Sequence, residues 1–318
     1  MTQTSTFTAG IDTSKYKLDI AIHDSGLVWQ VKNTAPGWRC LGTELIKLGV
    51  TRVGIEATGG YEKGVVQHLR AKGLTVLVLQ PIQVRSYARA HLRRAKNDHL
   101  DAVLIADCTA HLIDQPRVAP NPHLTALAGH LTYIEQVEED IVRHKTRLEH
   151  TDEPSLRRMV LADIAACKKR RADVMARIIT ALRAHPDLAK RFGLILSIPG
   201  IGKRTALALI IRMPELGQIS REEAAALAGL APYDDDSGKH SGPRHIAGGR
   251  ARLRRSLYAA ALPAAFRWNQ ALTGLYQRLH AKGRTHKASL IACARKLIVY
   301  ANTVVARGTP WLKTAPAI

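Results

Sequence analysis

A chain of 318 residues can bury a sizeable core and is long enough for two domains, with three possible. It carries 47 Lys and Arg against 26 Asp and Glu, giving +21 and a pI of about 10.2, which points to a polyanionic partner, most often nucleic acid. The hydrophobic share of 46% is ordinary for a soluble globular protein, and no apolar run approaches the ~18 residues of a membrane span, so no membrane partner is expected.

The charge is unevenly placed. From Ser237 to Ile318 there is no Asp or Glu but there are 15 Lys and Arg, so 15 of the 21 excess charges lie in the last quarter. A merely solvated surface would mix both signs. Cys40, Cys108, Cys167 and Cys293 are scattered without a C-x-x-C pair, which excludes a disulfide frame or zinc site. The opening MTQTSTFTAG has neither a basic n-region nor an apolar h-region, and a cytoplasmic, nucleoid-associated protein is expected.

In chain order, Thr8 to Ile22 (TAGIDTSKYKLDIAI) reads as two strands joined by a polar turn. Asp12 sits where the first strand ends. It is either a turn aspartate capping Thr13 and Ser14 or an acid that holds a metal or a hydrogen-bonding partner. NTAPGW, from Asn33 to Trp38, reads as a turn, and Cys40 to Leu48 reads as a helix. Val53 to Ile55 form a short strand that Glu56 ends, ahead of Thr58-Gly59-Gly60. Glu62 opens the next helix as an N-terminal charge and does not compete with Glu56. Leu74 to Leu79 (LTVLVL) has the look of a buried central strand. This strand–helix–strand alternation predicts an α/β domain.

Arg85, Arg89 and Arg93 stand four apart, a basic stripe that is either a solvated face or a track for phosphates. Asp98 and Asp101 follow as neighbours on one helix face, where like charges repel unless a cation sits between them. Asp107 falls on another turn and is expected to face solvent. From Leu124 to about His185 an interrupted three-four periodicity predicts a helical hairpin or short coiled coil, a dimerisation element.

Phe192 to Met213 holds Pro199-Gly200-Ile201-Gly202 between two apolar helices. It is not a Walker motif, because Ser197 and Arg204 stand where Gly and Ser or Thr are required. The alternatives are a helix-hairpin-helix whose turn N–H groups, with Lys203, bind a DNA phosphate, and a merely structural turn. Ser220 and Glu223 form a capping box. Beyond them, DDDSGKHSGPRHIAGGR is a glycine-punctuated basic loop in which Lys239, Arg244, Arg250, Arg252, Arg254 and Arg255 can neutralise phosphates. By chemistry alone Ser237 is either a turn residue or an attacking hydroxyl. Helices are expected from near Ala251 to Leu262, at Thr273 to His280 and at Ala288 to Ala306.

Asp12, Glu56, Asp98 and Asp101 thus lie two on strand ends and two on a helix face. Nucleic-acid enzymes with an RNase H-like core place acids in this way and gather two divalent metals ~3.5–4 Å apart at a scissile phosphate. Mg²⁺, two ions per site, fits the hard oxygen donors, and Mn²⁺ is an acceptable substitute.

GIDTSKYKLDIAI, IEATGGYE and KNDHLDAVLIA resemble the DEDD motifs of the IS110 group of insertion-sequence transposases. SIPGIGKRTALALI and AGLAPYDDDSGKHSGPRHIAGGRARLRRSLYAAAL resemble the second domain of the same group. The resemblance implies a RuvC-like catalytic domain over 1–120, a helical linker over 121–186, and a mainly helical C-terminal transposase domain over 187–318. It carries the four metal-binding acids onto Asp12, Glu56, Asp98 and Asp101. The nucleophilic serine carries over onto Ser237, with Ser241 four residues later as a rival. It further implies a structured bridge RNA that pairs with donor and target DNA, and a dimer-to-tetramer assembly in which acids of one subunit meet the serine of another. The expected chemistry is metal-assisted attack of the Ser237 hydroxyl on a phosphodiester to give a phosphoserine–DNA intermediate. The alternative is a RuvC-like nuclease or junction resolvase that uses water.

Overall fold

Short apolar strands build a five-stranded sheet in the first part of the chain, in a computed structural model that describes residues 7–92, 98–112, 121–234, 236–237, 240–242 and 244–312. The chain divides into two compact units, Met1–Pro116 and Arg117–Ile318. In the first, β1 (Phe7–Thr13), β2 (Lys17–Ile22), β3 (Val28–Lys32), β4 (Val50–Glu56) and β5 (Thr75–Leu79) stand in the order β3-β2-β1-β4-β5. β1 and β2 pair antiparallel, as do β2 and β3, whereas β1–β4 and β4–β5 are parallel. The parallel pairs are reached through the crossover helices α1 (Ala35–Lys47) and α2 (Lys63–Ala71).

LTVLVL proves to be an edge strand and not a central one. It reads as continuously apolar because both faces are covered: Val76 packs with the α1–α2 layer and Leu77 and Leu79 with the opposite one. The first helix begins at Ala35, five residues earlier than expected, because Thr34 caps it and accepts from the Gly37 N–H.

α3 (Pro81–Ala90) and α4 (Asp98–His111) cover the second face. α4 lies against β1, β2 and β4 at a distance only glycine permits. A Cβ on Gly10 would stand 2.2 Å from the Ala106 nitrogen and 2.3 Å from the Ala102 carbonyl oxygen, and one on Gly54 1.8 Å from Thr109 Oγ1. The direction of α4 follows from its far end. Asp107 meets His23 Nδ1 at 3.0 Å, the His23 N–H donates to the Thr8 carbonyl, and Arg52 donates to the Leu112 carbonyl at 2.7 Å. Thr8 and Arg52 are register partners at the entry to β1 and β4. The last turn of α4 therefore sits over the amino ends of those strands, and its first turn over their carboxyl ends. Asp107 is not solvent-facing; its side chain is 14% exposed.

The second unit is helical. α5 (Pro122–Glu149) and α6 (Pro154–Arg183) pack as a hairpin, with Pro154 in the first turn of α6 and Glu153 accepting from the Ser155 and Leu156 N–H groups. Leu131, Ile134, Ile178 and Leu182 join one core with α7 (Pro186–Leu196), α8 (Lys203–Arg212), α10 (Ala251–Pro263) and α12 (His286–Arg307). Between them lie α9 (Arg221–Leu227), opened by the Ser220–Glu223 capping box, and α11 (Gln270–Ala281). Among the described helices only α12 is long and apolar enough to cross a bilayer, and half of that stretch is buried in this core.

Because the atoms facing Gly10 are backbone, Gly10→Ala must push α4 off the sheet. It is expected to cost about 3 kcal/mol, read as a lower urea midpoint at unchanged slope. An unshifted midpoint would mean that the helix is not held this closely.

Candidate active site

β1 and β4 are registered Gly10 to Gly54 and Ile11 to Ile55, so Asp12 and Glu56 are the next residues outward on adjacent parallel strands. Side chains alternate along a strand. Ala9, Ile11, Val53 and Ile55 belong to the α1–α2 core, whereas Gly10 and Gly54 face α4. Asp12 and Glu56, two residues beyond the glycines, share the α4 face. Both are partly buried. The first turn of α4, Asp98 to Asp101, runs toward this same end of the sheet; Asp101 is partly buried, and the Asp98 side chain lies outside the described residues.

Asp19 is an acid that strand periodicity did not single out. It is paired in register with Asp12 and is 1% exposed. Lys17 contacts it at 3.3 Å and Gln30 Nε2 donates to it at 2.7 Å. Its signal in the sequence is faint, because apolar Leu18 and Ile20 flank it in a strand covered on both faces. Glu62 has a structural task, accepting from the Thr58 and Gly60 N–H groups at 3.1 and 2.9 Å and closing the loop after Glu56.

Hard carboxylate oxygens at one end of neighbouring strands suit a divalent cation in donor chemistry. Among the described residues no three His, Cys, Asp or Glu side chains are grouped closely enough to hold a metal ion. That search does not include the Asp98 side chain.

In the second unit Asp236–Ser237 pairs antiparallel with His240–Ser241, with Ser237 opposite His240 and Asp236 opposite Ser241. The Ser237 and Ser241 side chains lie outside the described residues. α7 and α8 are joined by the Ser197–Gly202 turn, in which Gly200 has φ 96° and packs against Ala264. No side chain caps α8, and Gly202 and Lys203 are exposed at its amino end.

The basic residues divide by partner. Arg85 and Arg89 are exposed on α3, while Arg93 and Lys239 lie outside the described residues. Arg250 holds Glu215 with a two-pronged contact at 2.6 and 2.9 Å, and Arg254 donates to the Gly229 and Gly248 carbonyls. Arg244 pairs with Asp234 on the surface. Arg252, half exposed, shares the buried Glu135 with Arg204 and Arg212, and Arg255 meets Glu139 at 3.2 Å with both side chains exposed. Exposed pairs of the last kind are weak and exchange readily for a phosphate; the Arg250–Glu215 fork does not.

Comparison with known proteins bears on both units. The transposase family model for the DEDD domain of IS110 elements matches residues 9–151, and "Transposase IS116/IS110/IS902 family" matches residues 193–277. The chain belongs to the IS110 transposase family. It is similar to the pilin gene-inverting protein of Moraxella bovis, 28% identical over 273 residues that span 81% of each chain, and to that of Moraxella lacunata at the same identity and coverage. An uncharacterized 43.6 kDa insertion element IS110 protein of Streptomyces coelicolor is 29% identical over 158 residues, 49% of this chain and 38% of that one. This IS110-family transposase is accordingly a DNA-recombining enzyme, and its DEDD domain implies a general dependence on divalent metal.

Glu215 gives a pH test of the second unit. Burial acts to raise its carboxyl, but the hydrogen bonds and charge of Arg250 hold it below the usual carboxylate range. A depressed folded value stabilises above the unfolded value of about 4.3 and is lost as pH falls through the folded one. Glu215→Gln should therefore cost about 2 kcal/mol at neutral pH, and its deficit against wild type in urea should shrink as pH drops below about 4. A deficit independent of pH would contradict this.

Proposed function

We propose that this transposase cuts and exchanges DNA strands through a covalent phosphoserine–DNA intermediate on Ser237 and that it also carries a DEDD metal site of Asp12, Glu56, Asp98 and Asp101. The observation that carries the reading is the strand register: Asp12 and Glu56 stand side by side on the face that α4 covers, and the first turn of α4 runs to the same end of the sheet. A mixed sheet with acids at the carboxyl ends of its two central parallel strands supports a RuvC-type core.

In this mechanism Ser237 Oγ attacks phosphorus and a new O–P ester forms. The bond to the leaving DNA oxygen breaks, and that oxygen departs as a hydroxyl while the serine proton is lost. Ester energy is conserved, so rejoining needs no external energy source. Bound Mg²⁺, two ions with Mn²⁺ as a substitute, would supply Lewis-acid polarisation of the scissile phosphate. The exposed cations Arg85, Arg89, Lys203, Arg252 and Arg255 hold phosphates, and the open amino end of α8 adds backbone donors in the manner of a helix-hairpin-helix. Resemblance to the group adds a bridge RNA that pairs with donor and target DNA, and a dimer or tetramer in which the serine is supplied by a neighbouring subunit.

The relatives named for gene inversion favour this reading over a nuclease that uses water, because inverting a segment requires rejoining as well as cutting. Ser237→Ala with Ser241 intact should abolish covalent protein–DNA adducts on denaturing gels, and Ser241→Ala should retain them. Adducts that survive in the Ser237 variant would place the nucleophile elsewhere.

A further inference from the structure

We propose that the π-helical turn at Ala264–Trp268, together with the aromatic side chains around it, is a stacking platform for an unpaired DNA strand. α10 ends in Pro263, which has no N–H to donate, and the chain then widens into one π turn in which the Asn269 N–H reaches the Ala264 carbonyl at 3.0 Å. Ala264 and Ala265 point inward and are fully buried. Phe266, Arg267 and Trp268, consecutive in sequence, are all turned outward, with Phe266 51% and Trp268 64% exposed.

This turn is held firmly. Asn269, 4% exposed, donates to the Pro199 carbonyl and accepts from the Leu272 N–H. Beside it Phe266 meets Tyr276 at 4.8 Å between ring centroids, and the Tyr276 hydroxyl is fixed to His286 Nδ1 at 2.7 Å. The Phe266 and Trp268 rings both keep half or more of their surface in water on this braced backbone.

The chemistry around them selects the occupant. Arg267 is exposed in the turn itself, Lys282, Arg284 and Lys287 are exposed around His286, whose ring stacks with Phe266 at 6.2 Å, and no Asp or Glu occurs from 237 to 318. Aromatic faces in a stretch of chain that carries cations and no acidic side chain fit a strand whose bases stack while its phosphates are neutralised. A duplex hides its base faces, so the fit is to unpaired nucleotides. DNA is the strand because the family acts on DNA. The inference rests on the strand-exchange reading, in which strands are transiently unpaired.

The test is binding of a short oligodeoxythymidylate to the full chain in EDTA, read by tryptophan fluorescence and by filter retention. Trp268 should dominate the quenching, and Trp268→Ala should remove most of it. Phe266→Ala with Trp268→Ala should weaken binding about 10-fold or more, leave the salt dependence unchanged, and leave an abasic strand of equal length unaffected. Phe266→Tyr with Trp268→Tyr should restore affinity, which separates stacking from misfolding. Equal binding of the abasic strand, or wild-type affinity in the double alanine variant, would overturn the proposal. Tighter binding of oligouridylate at these residues would assign the platform to RNA, and a variant that changed only self-association would assign it to a second copy; either result overturns the DNA assignment. Ser237→Ala should bind the oligonucleotide normally, so failure of the adduct chemistry and failure of the platform are read separately.

Discussion

The contact on which the first unit depends is the approach of α4 to β1 and β4 across Gly10 and Gly54. Backbone of Ala102 and Ala106 sits where a Cβ on Gly10 would be, and the Thr109 side chain where one on Gly54 would be, so the helix is seated by shape before any polar interaction contributes. Ala102, Ala106 and Thr109 present small side chains to the sheet, and Thr109 returns its hydroxyl to the Ile105 carbonyl at 2.6 Å and exposes no unmet donor. At the far end, His23, Asp107 and Arg52 fix the helix direction. The consequence is felt at the other end, where acids distant in sequence are carried to one edge of the sheet.

The second unit solves a different problem, that of a chain rich in arginine and short of acid. Carboxylates from α5 and from the segment after α8 hold arginines of α8 and α10 in place. Glu135, nearly buried, meets Arg204, Arg212 and Arg252, and burial lowers the Arg212 guanidinium below its ordinary value while Glu135 opposes that shift. The cleft of about 650 Å³ between α5, α8 and α10 is lined by Glu135, Arg204 and Arg252 together with Glu138, Glu139 and Arg255. Its inner pairs organise the helices, and its outer members, Arg252 and Arg255, keep exposed edges that a phosphate can take.

Much of this was legible in the amino-acid order because the relevant signals are local. The β1–β2 hairpin, the strand ending at Glu56, the long helices after Leu124 and the Ser220–Glu223 capping box all follow from periodicity or from a few adjacent residues. β3 escaped notice because Val28–Lys32 is short and half exposed. The edge position of β5 was hidden because cover on both faces, and not centrality, makes a strand read as continuously apolar. Arginine partners were out of reach for a simpler reason: Arg250, Arg252 and Arg255 find their acids 35, 117 and 116 residues away. Asp107 was misread because its partner, His23, is 84 residues distant.

The most direct test of the account is whether the carboxylates at the end of β1, β4 and α4 act as one ligand set. Titration of the protein with Mn²⁺, followed by electron paramagnetic resonance, measures this without reference to activity. The account predicts tight binding in the wild type and its loss in each of Asp12→Asn, Glu56→Gln and Asp101→Asn, with the fold intact by circular dichroism. Undiminished Mn²⁺ binding in these variants would contradict it.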